Sequence, residues 1–273
     1  MSFPIIGLIA DDSTLNSFAD DAKRLGVTIN FSAKKFETDQ LVEFSKLCDV
    51  LCIEPNHISL SALKTIQRAG VLTYPPIQAI EQLDTIQKHQ PANEMYSIVV
   101  ARSGHAQVST WPISLITGNI SITPVPGMSE ELASRIQLSV IKLAGEIGLV
   151  GAVELIVDAD DFTKLISINW LKPVVQDNLC VGSVTGYAEQ FLRAVLDLPL
   201  GNTEAFRSYT VSGTLITDVN SNDYRPYLHL MARNPNLKFN QATKTVSIIG
   251  DNVEKLLTEI IHAQQYFSGE IKE

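Results

Sequence analysis

The residues whose types and spacing could do chemistry are few. Glu54 and His57 stand three apart, where a carboxylate and an imidazole could share a proton, though a loop pair with no catalytic task fits the same spacing. Asp158, Asp160 and Asp161 form an acidic turn without the spacing of a calcium loop, so a solvated turn is the simpler reading. The histidines, His57, His89, His105, His229 and His262, show no paired metal-ligand spacing. Cys48, Cys52 and Cys180 are odd in number and lack a CxxC motif, which predicts free thiols in a reducing compartment. Cys48 and Cys52 flank an apolar run and read as small buried hydrophobes. No G-x-S-x-G, phosphate-binding P-loop or zinc motif is present. Trp111-Pro112 and Trp170 read as core or interface residues.

The elements that must position these groups follow from hydrophobic pattern. Ile5 to Ala10, Val27 to Phe31, Asp49 to Ile53 and Val71 to Tyr74 are short apolar runs, the mark of buried strands. Between them lie helical stretches, the first with Phe18, Ala22 and Leu25 on one face and Gly26 as its stop. Four such alternations with short links predict a small parallel sheet covered by helices. Beyond the polar stretch 87–94, the pattern changes. Strands are expected at Tyr96 to Arg102, Val108 to Leu115 and Ile120 to Pro124, then a long helix at Glu130 to Ile147. A hairpin at Gly151 to Val157 and Leu165 to Trp170 and a helix at Thr185 to Leu196 follow. The last part is expected to hold strands at Thr210 to Ile216, Tyr227 to Met231 and Thr245 to Ile249, with a final helix from Val253.

The expected organisation is therefore an α/β domain over residues 1–90, an α+β domain over 94–205 and a β-rich segment with a final helix over 206–273. At 273 residues and 45% hydrophobic, the chain can bury a substantial core. Its 21 Lys and Arg against 30 Asp and Glu, with no basic run, argue against nucleic acid as a partner. Nothing reads as a signal peptide or membrane span, so a cytoplasmic protein is expected.

Several stretches, in order along the chain, resemble one family. They are Lys23-Arg24-Leu25-Gly26; Cys48-Asp49-Val50-Leu51 leading to Glu54 and His57; Tyr74-Pro75-Pro76 with Gln78-Ala79; Ser97 to Ser103; Gly151-Ala152-Val153-Glu154-Leu155; Glu189 to Gly201; and Phe267 to Ile271. Together they are similar to the ATP-grasp ligase 5-(carboxyamino)imidazole ribonucleotide synthase of purine biosynthesis. The resemblance implies a reaction in which ATP and bicarbonate carboxylate an aminoimidazole ribonucleotide. That chemistry needs a nucleotide lid, magnesium-binding carboxylates and cationic groups on the phosphates.

Measured against that requirement, this chain departs at several places. The family's glycine-rich lid lies between its proline-rich turn and its central strand, where only a short helix and a polar link separate Gln78 from Tyr96, with Lys88 the lone lysine. Lys88 reads as a surface lysine on a helix. Glu154 matches the first metal carboxylate of the family's hairpin, whereas the second position, an Asn-Glu pair in the family, reads Asn169-Trp170. Glu154 is thus at most a weak metal remnant, and an indole at Trp170 is expected to fill the site. In the loop that follows, the family's Arg and His become Val174 and Gln176, while Lys172 reads as a solvated lysine. The glycine-rich opening loop is replaced by Ala10, Asp11, Asp12, Ser13 and Thr14, with Asp12 or Ser13 expected as the helix cap. Near the C-terminus, Arg233, Lys238 and Lys244 are scattered where the family has a basic motif.

These departures lead to the expectation of a pseudoenzyme with no catalytic or nucleotide-binding residues and no cofactor. It would form a homodimer, as the resemblance implies, with an interaction or regulatory role beside a purine-pathway protein. The alternative is an ATP-dependent carboxyaminoimidazole ribonucleotide ligase with altered site residues, using magnesium and ATP. A third reading is a small-ligand protein using the cleft between its domains.

Overall fold

A computed structural model describes residues 3–33, 36–216 and 224–271. In chain order, β1 (Ile5–Ile9), α1 (Asp12–Arg24), β2 (Thr28–Ser32), α2 (Thr38–Ser45), β3 (Val50–Ile53), α3 (Leu60–Arg68), β4 (Thr73–Tyr74) and α4 (Ile77–Asp84) build the first unit. Its strands form a parallel sheet in the order β2-β1-β3-β4, as the alternating pattern predicts. The first helix starts earlier than expected: Asp11, rather than Asp12 or Ser13, is the cap and accepts the Thr14 amide at 2.7 Å. Thr14, Phe18 and Ala22, four residues apart, form its buried stripe.

The second unit begins with β5 (Glu94–Arg102), β6 (Val108–Thr110), β7 (Ser114–Thr117), β8 (Ile120–Thr123), α5 (Glu130–Glu146), β9 (Gly151–Asp158), β10 (Leu165–Asn169), α6 (Gln176–Gly182) and α7 (Tyr187–Val195). It continues with β11 (Tyr209–Thr214), α8 (Arg225–Arg233), β12 (Lys238–Asn240), β13 (Thr245–Gly250) and α9 (Val253–Ser268). Nine of these strands make one sheet in the order β10-β9-β5-β7-β8-β11-β13-β12, with β6 beside β5. Pairing of β11 with β8 carries the C-terminal strands onto the same sheet as the hairpin.

Three expectations from sequence are corrected. The single strand expected over residues 108–115 is two strands, because Pro112 has no amide proton to give β5; β6 and β7 pair with opposite ends of that strand. The segment 227–231 is helical, not extended. Pro226 suits a first helical turn, and the alternating Tyr-Leu-His-Leu-Met run places Tyr227 and Leu230 three apart, on the face packed against α9. Gln176 to Asn178, read as part of the loop after β10, are the first residues of α6. That helix approaches β11 so closely that a Cβ on Gly182 would lie 1.9 Å from Thr210 Oγ1.

The core is continuous between the two sheets. One face of each sheet contributes Ile9, Leu51, Ile98 and Val100 to a cluster closed by α5, and the other contributes Leu8, Val50, Val99 and Ala152 to a cluster closed by α1 and α7. Phe18 of α1 meets Phe191 of α7 edge to face at 5.4 Å. Trp111 is fully buried and donates its indole N–H to the Thr185 carbonyl at 2.9 Å. Trp111→Phe keeps most of the apolar volume but leaves that carbonyl unpaired. It should lower stability by about 1–3 kcal/mol, seen as a lower urea midpoint at unchanged slope; an unchanged midpoint would show the bond contributes nothing.

Candidate functional site

Glu154 lies in the middle of β9, fully buried. Its carboxylate receives four hydrogen bonds, two on each oxygen. Ser97 Oγ (2.6 Å) and the Val175 amide (3.3 Å) donate to Oε1; Asn169 Nδ2 (2.6 Å) and the Val174 amide (2.7 Å) donate to Oε2. A carboxylate offers about four lone-pair positions, so this one is saturated by its own chain. Burial pushes its pKa up, and the four donors pull against that rise.

Sheet geometry explains the donors. Asn169 of β10 sits directly opposite Glu154, and Ser97 lies two residues from Val99, the partner of Glu154 on β5. The partner across the hairpin is therefore Asn169, not residue 170. Side chains alternate faces along a strand, and Ile168 and Trp170 point the other way. There they line a pocket of about 270 Å³ with Ile58, Leu63 and Ile80 of the first unit. Trp170 is buried, but its indole does not fill the Glu154 site as the sequence led us to expect.

The chain leaving β10 then crosses to the first unit. The Leu171 amide donates to Glu54 Oε2 at 3.3 Å, and Lys172 Nζ donates to Ser13 Oγ at 2.5 Å while lying 3.8 Å from Asp11. Lys172 is thus a junction residue rather than a free solvated lysine. Burial raises Asp11, but hydrogen bonds from Ser13 and Thr14 and the Lys172 charge outweigh it and bring its pKa down to about 2. Glu54 goes the other way: burial, opposed by the Leu171 bond and aided by Asp11, lifts its pKa to about 7. His57 does not complete a dyad through Nδ1, which is buried without a hydrogen-bond partner among the described residues. Tyr187, wholly buried, donates to the Ala152 carbonyl at 3.1 Å and to the Trp170 carbonyl. Burial and the nearby charges of Glu154 and Glu54 push its pKa well up.

The other candidates are dispersed. Asp158 accepts the amides of Asp160 and Asp161, and Lys164 lies 3.5 Å from Asp161, which makes the acidic stretch a self-bonded turn. Cys52 is buried in the first sheet and Cys48 half-buried beside it, both free thiols. Lys88 follows the end of α4 instead of lying on a helix, 3.6 Å from Asp84. Among the described residues, no helix is long and apolar enough to cross a membrane, and no three His, Cys, Asp or Glu side chains cluster to hold a metal. Sequence reasoning named Ser97 and Asn169 only as parts of family-like stretches, with no role for either, and missed Tyr187. Ser97 carried a signal as the one small polar residue beside the apolar run Ile98 to Ala101.

Comparison with known proteins bears on this geometry. No protein-family model matches the chain. An N5-carboxyaminoimidazole ribonucleotide synthase of Mycobacterium bovis is 34% identical over 154 residues, 52% of this chain and 35% of that protein. The chain is homologous to the N5-carboxyaminoimidazole ribonucleotide synthases. The aligned part spans about a third of the length of the curated relatives it matches. Among solved structures, the Thermotoga maritima synthetase superposes with a TM-score of 0.80 at 13% identity, over 97% of this chain and 98% of that one. The Aspergillus clavatus synthase, solved with ADP and 5-aminoimidazole ribonucleotide, gives 0.81 at 14%, over 99% and 100%. At these identities the likeness establishes the mixed α/β fold, a small parallel sheet beside a large antiparallel one.

Two outcomes test the site. Glu154→Ala strands four donors in the core and should lower stability by roughly 3 kcal/mol or more; a urea-unfolding loss under about 1 kcal/mol would show that the carboxylate does not organise the site. Glu54 gains a proton on folding at pH values between its ordinary 4.5 and about 7. It therefore favours the native state below that window and opposes it as pH rises through it. Glu54→Gln should gain on wild type by up to about 3 kcal/mol between pH 4.5 and 7.5, measured as urea midpoints; a constant difference would refute the shift.

Proposed function

We propose that this chain is a catalytically inactive descendant of the ATP-dependent N5-carboxyaminoimidazole ribonucleotide synthases. The observation that carries the reading is the Glu154 carboxylate, whose two oxygens are fully engaged by Ser97, Asn169 and the amides of Val174 and Val175. Magnesium needs open carboxylate oxygens. Here the nearest carboxylate has none free, its cross-strand neighbour is an amide, and residue 170 faces away. The residues present do not fit the ion.

Three further features support the same reading. Only residues 85–93 separate α4 from β5, too few for a folded nucleotide lid. Val174 stands at the exposed position where the resemblance implies an Arg on the phosphate. Lys172, a nearby cation, is engaged by Ser13 and Asp11. The reading implies that neither magnesium nor ATP serves this chain as a cofactor.

The test uses the ligands bound in the Aspergillus clavatus synthase structure, with ATP for ADP. Thermal unfolding with millimolar Mg-ATP, 5-aminoimidazole ribonucleotide or both should give the same midpoint as buffer. A site filled to a hundred times its Kd would add about 2.7 kcal/mol, an easily seen rise. Phosphate release that requires both the ribonucleotide and bicarbonate would overturn the proposal.

A further inference from the structure

A second concavity lies away from Glu154, where the β7–β8 turn, the start of α6 and strands β11 and β13 meet. It has a volume of about 70 Å³. Its wall includes Ile116, Ile120 and Val174 on one hand and Ser121, Asp177 and Thr245 on the other. Asp177 supplies the only charge in the lining and is buried, with 8% exposure.

Away from the exposed Asn119 and Thr214, the polar side chains of the lining have a consistent sense. Asp177 Oδ2 accepts the hydroxyls of Thr243 (2.7 Å) and Thr245 (2.6 Å), and among the described residues Oδ1 accepts only Asn240 Nδ2 (2.7 Å). With about four lone-pair positions on a carboxylate, Oδ1 retains room for one more donor. Ser121 Oγ donates to Asn178 Oδ1 at 2.9 Å, and Ser212 Oγ, also in the lining, donates to Ser247 Oγ at 2.7 Å. The Asn178 amide protons point to Thr123 and Thr210. The three hydroxyls of Ser121, Ser212 and Thr245 have thus given their protons elsewhere and remain as acceptors. No Lys, Arg or His among the described residues forms an ion pair with Asp177.

We propose that this pocket binds the protonated head of a short primary amine. The ammonium donates to Asp177 and the hydroxyl oxygens, and its alkyl stub lies against Ile116, Ile120 and Val174. A buried carboxylate without a cation is expensive to desolvate, and the buried part of the lining, inside the exposed Asn119 and Thr214, presents acceptors that suit a cation better than an anion. The volume limits the buried part of the ligand to a few heavy atoms. This inference stands on the pocket's own chemistry, whatever becomes of ligase activity.

Methylammonium chloride is the probe, compared with potassium chloride and tetramethylammonium chloride at equal ionic strength. Thermal unfolding of the wild-type protein should show a saturable midpoint rise of about 2 °C or more with methylammonium only. Asp177→Asn should abolish that rise. Where this variant does not fold, amide NMR shifts of the wild-type protein settle the matter. They should move at residues 119–121, 177–178 and 212–214 and saturate with the same concentration dependence. Equal responses to all three salts, equal protection by potassium, retention of the effect in Asp177→Asn, or shifts scattered over the surface would each overturn the proposal.

Discussion

A carboxylate buried in the middle of a sheet constrains everything around it, and Glu154 is that carboxylate. Removing its charge from water costs several kcal/mol, which only close, well-aimed donors can offset. They come from three separate stretches: Ser97 on β5, Asn169 on β10, and the amides of residues 174 and 175. Satisfying Glu154 therefore fixes the path of the chain after β10. It also sets where α6 begins, and so delivers Asp177 and Asn178 to the hydroxyl-rich seam of β8, β11 and β13. Asn178 there bonds Ser121, Thr123 and Thr210, and Asp177 bonds Asn240, Thr243 and Thr245. A single buried charge thereby ties the hairpin to strands more than thirty residues further along the chain.

The same saturation bears on chemistry. A metal ligand must keep lone pairs available for the ion, whereas a structural carboxylate must give them all to donors; one side chain cannot do both at once. Strand alternation sharpens the point. Asn169 and Glu154 share a face, while Ile168 and Trp170 turn to the opposite one, so substitution at 170 changes a different surface from the one Glu154 occupies. Trp170 accordingly joins the apolar cluster of Ile58, Leu63 and Ile80, where it helps bind the two units together.

Much of the fold was legible because it rests on local patterns. The apolar runs of β1, β3 and β9 and the stripes of α1, α5 and α9 identify themselves by period and by their glycine or polar stops. Errors arose where two periods fit the same residues, as in 227–231, or where one residue type breaks a ladder, as Pro112 does between β6 and β7. The site was less legible for a different reason. Its donors are long-range: Ser97 and Glu154 are 57 residues apart, and two of the four donors are backbone amides that no side-chain motif can announce. Glu154 could be singled out by likeness to a family, but the saturation of its lone pairs is a property of register and loop path.

The junction between the two units completes the argument. In parallel sheets, ligands bind beyond the carboxyl ends of the strands, at the point where the strand order reverses. With the order β2-β1-β3-β4, that point lies between β1 and β3. The segments leaving those strands present Asp11 and Ser13 on one side and Glu54 on the other. Into this place the chain inserts consecutive residues of its own: the Leu171 amide bonds Glu54, and Lys172 bonds Ser13 beside Asp11. Leu171 is fully buried there, so the crevice is closed by packing as well as by polar contacts. Because only Pro173 separates these two residues from the amides that cap Glu154, the segment that saturates the carboxylate also occupies the crevice. One short stretch, residues 169–175, thus engages both the Glu154 carboxylate and the polar groups at the end of the first sheet.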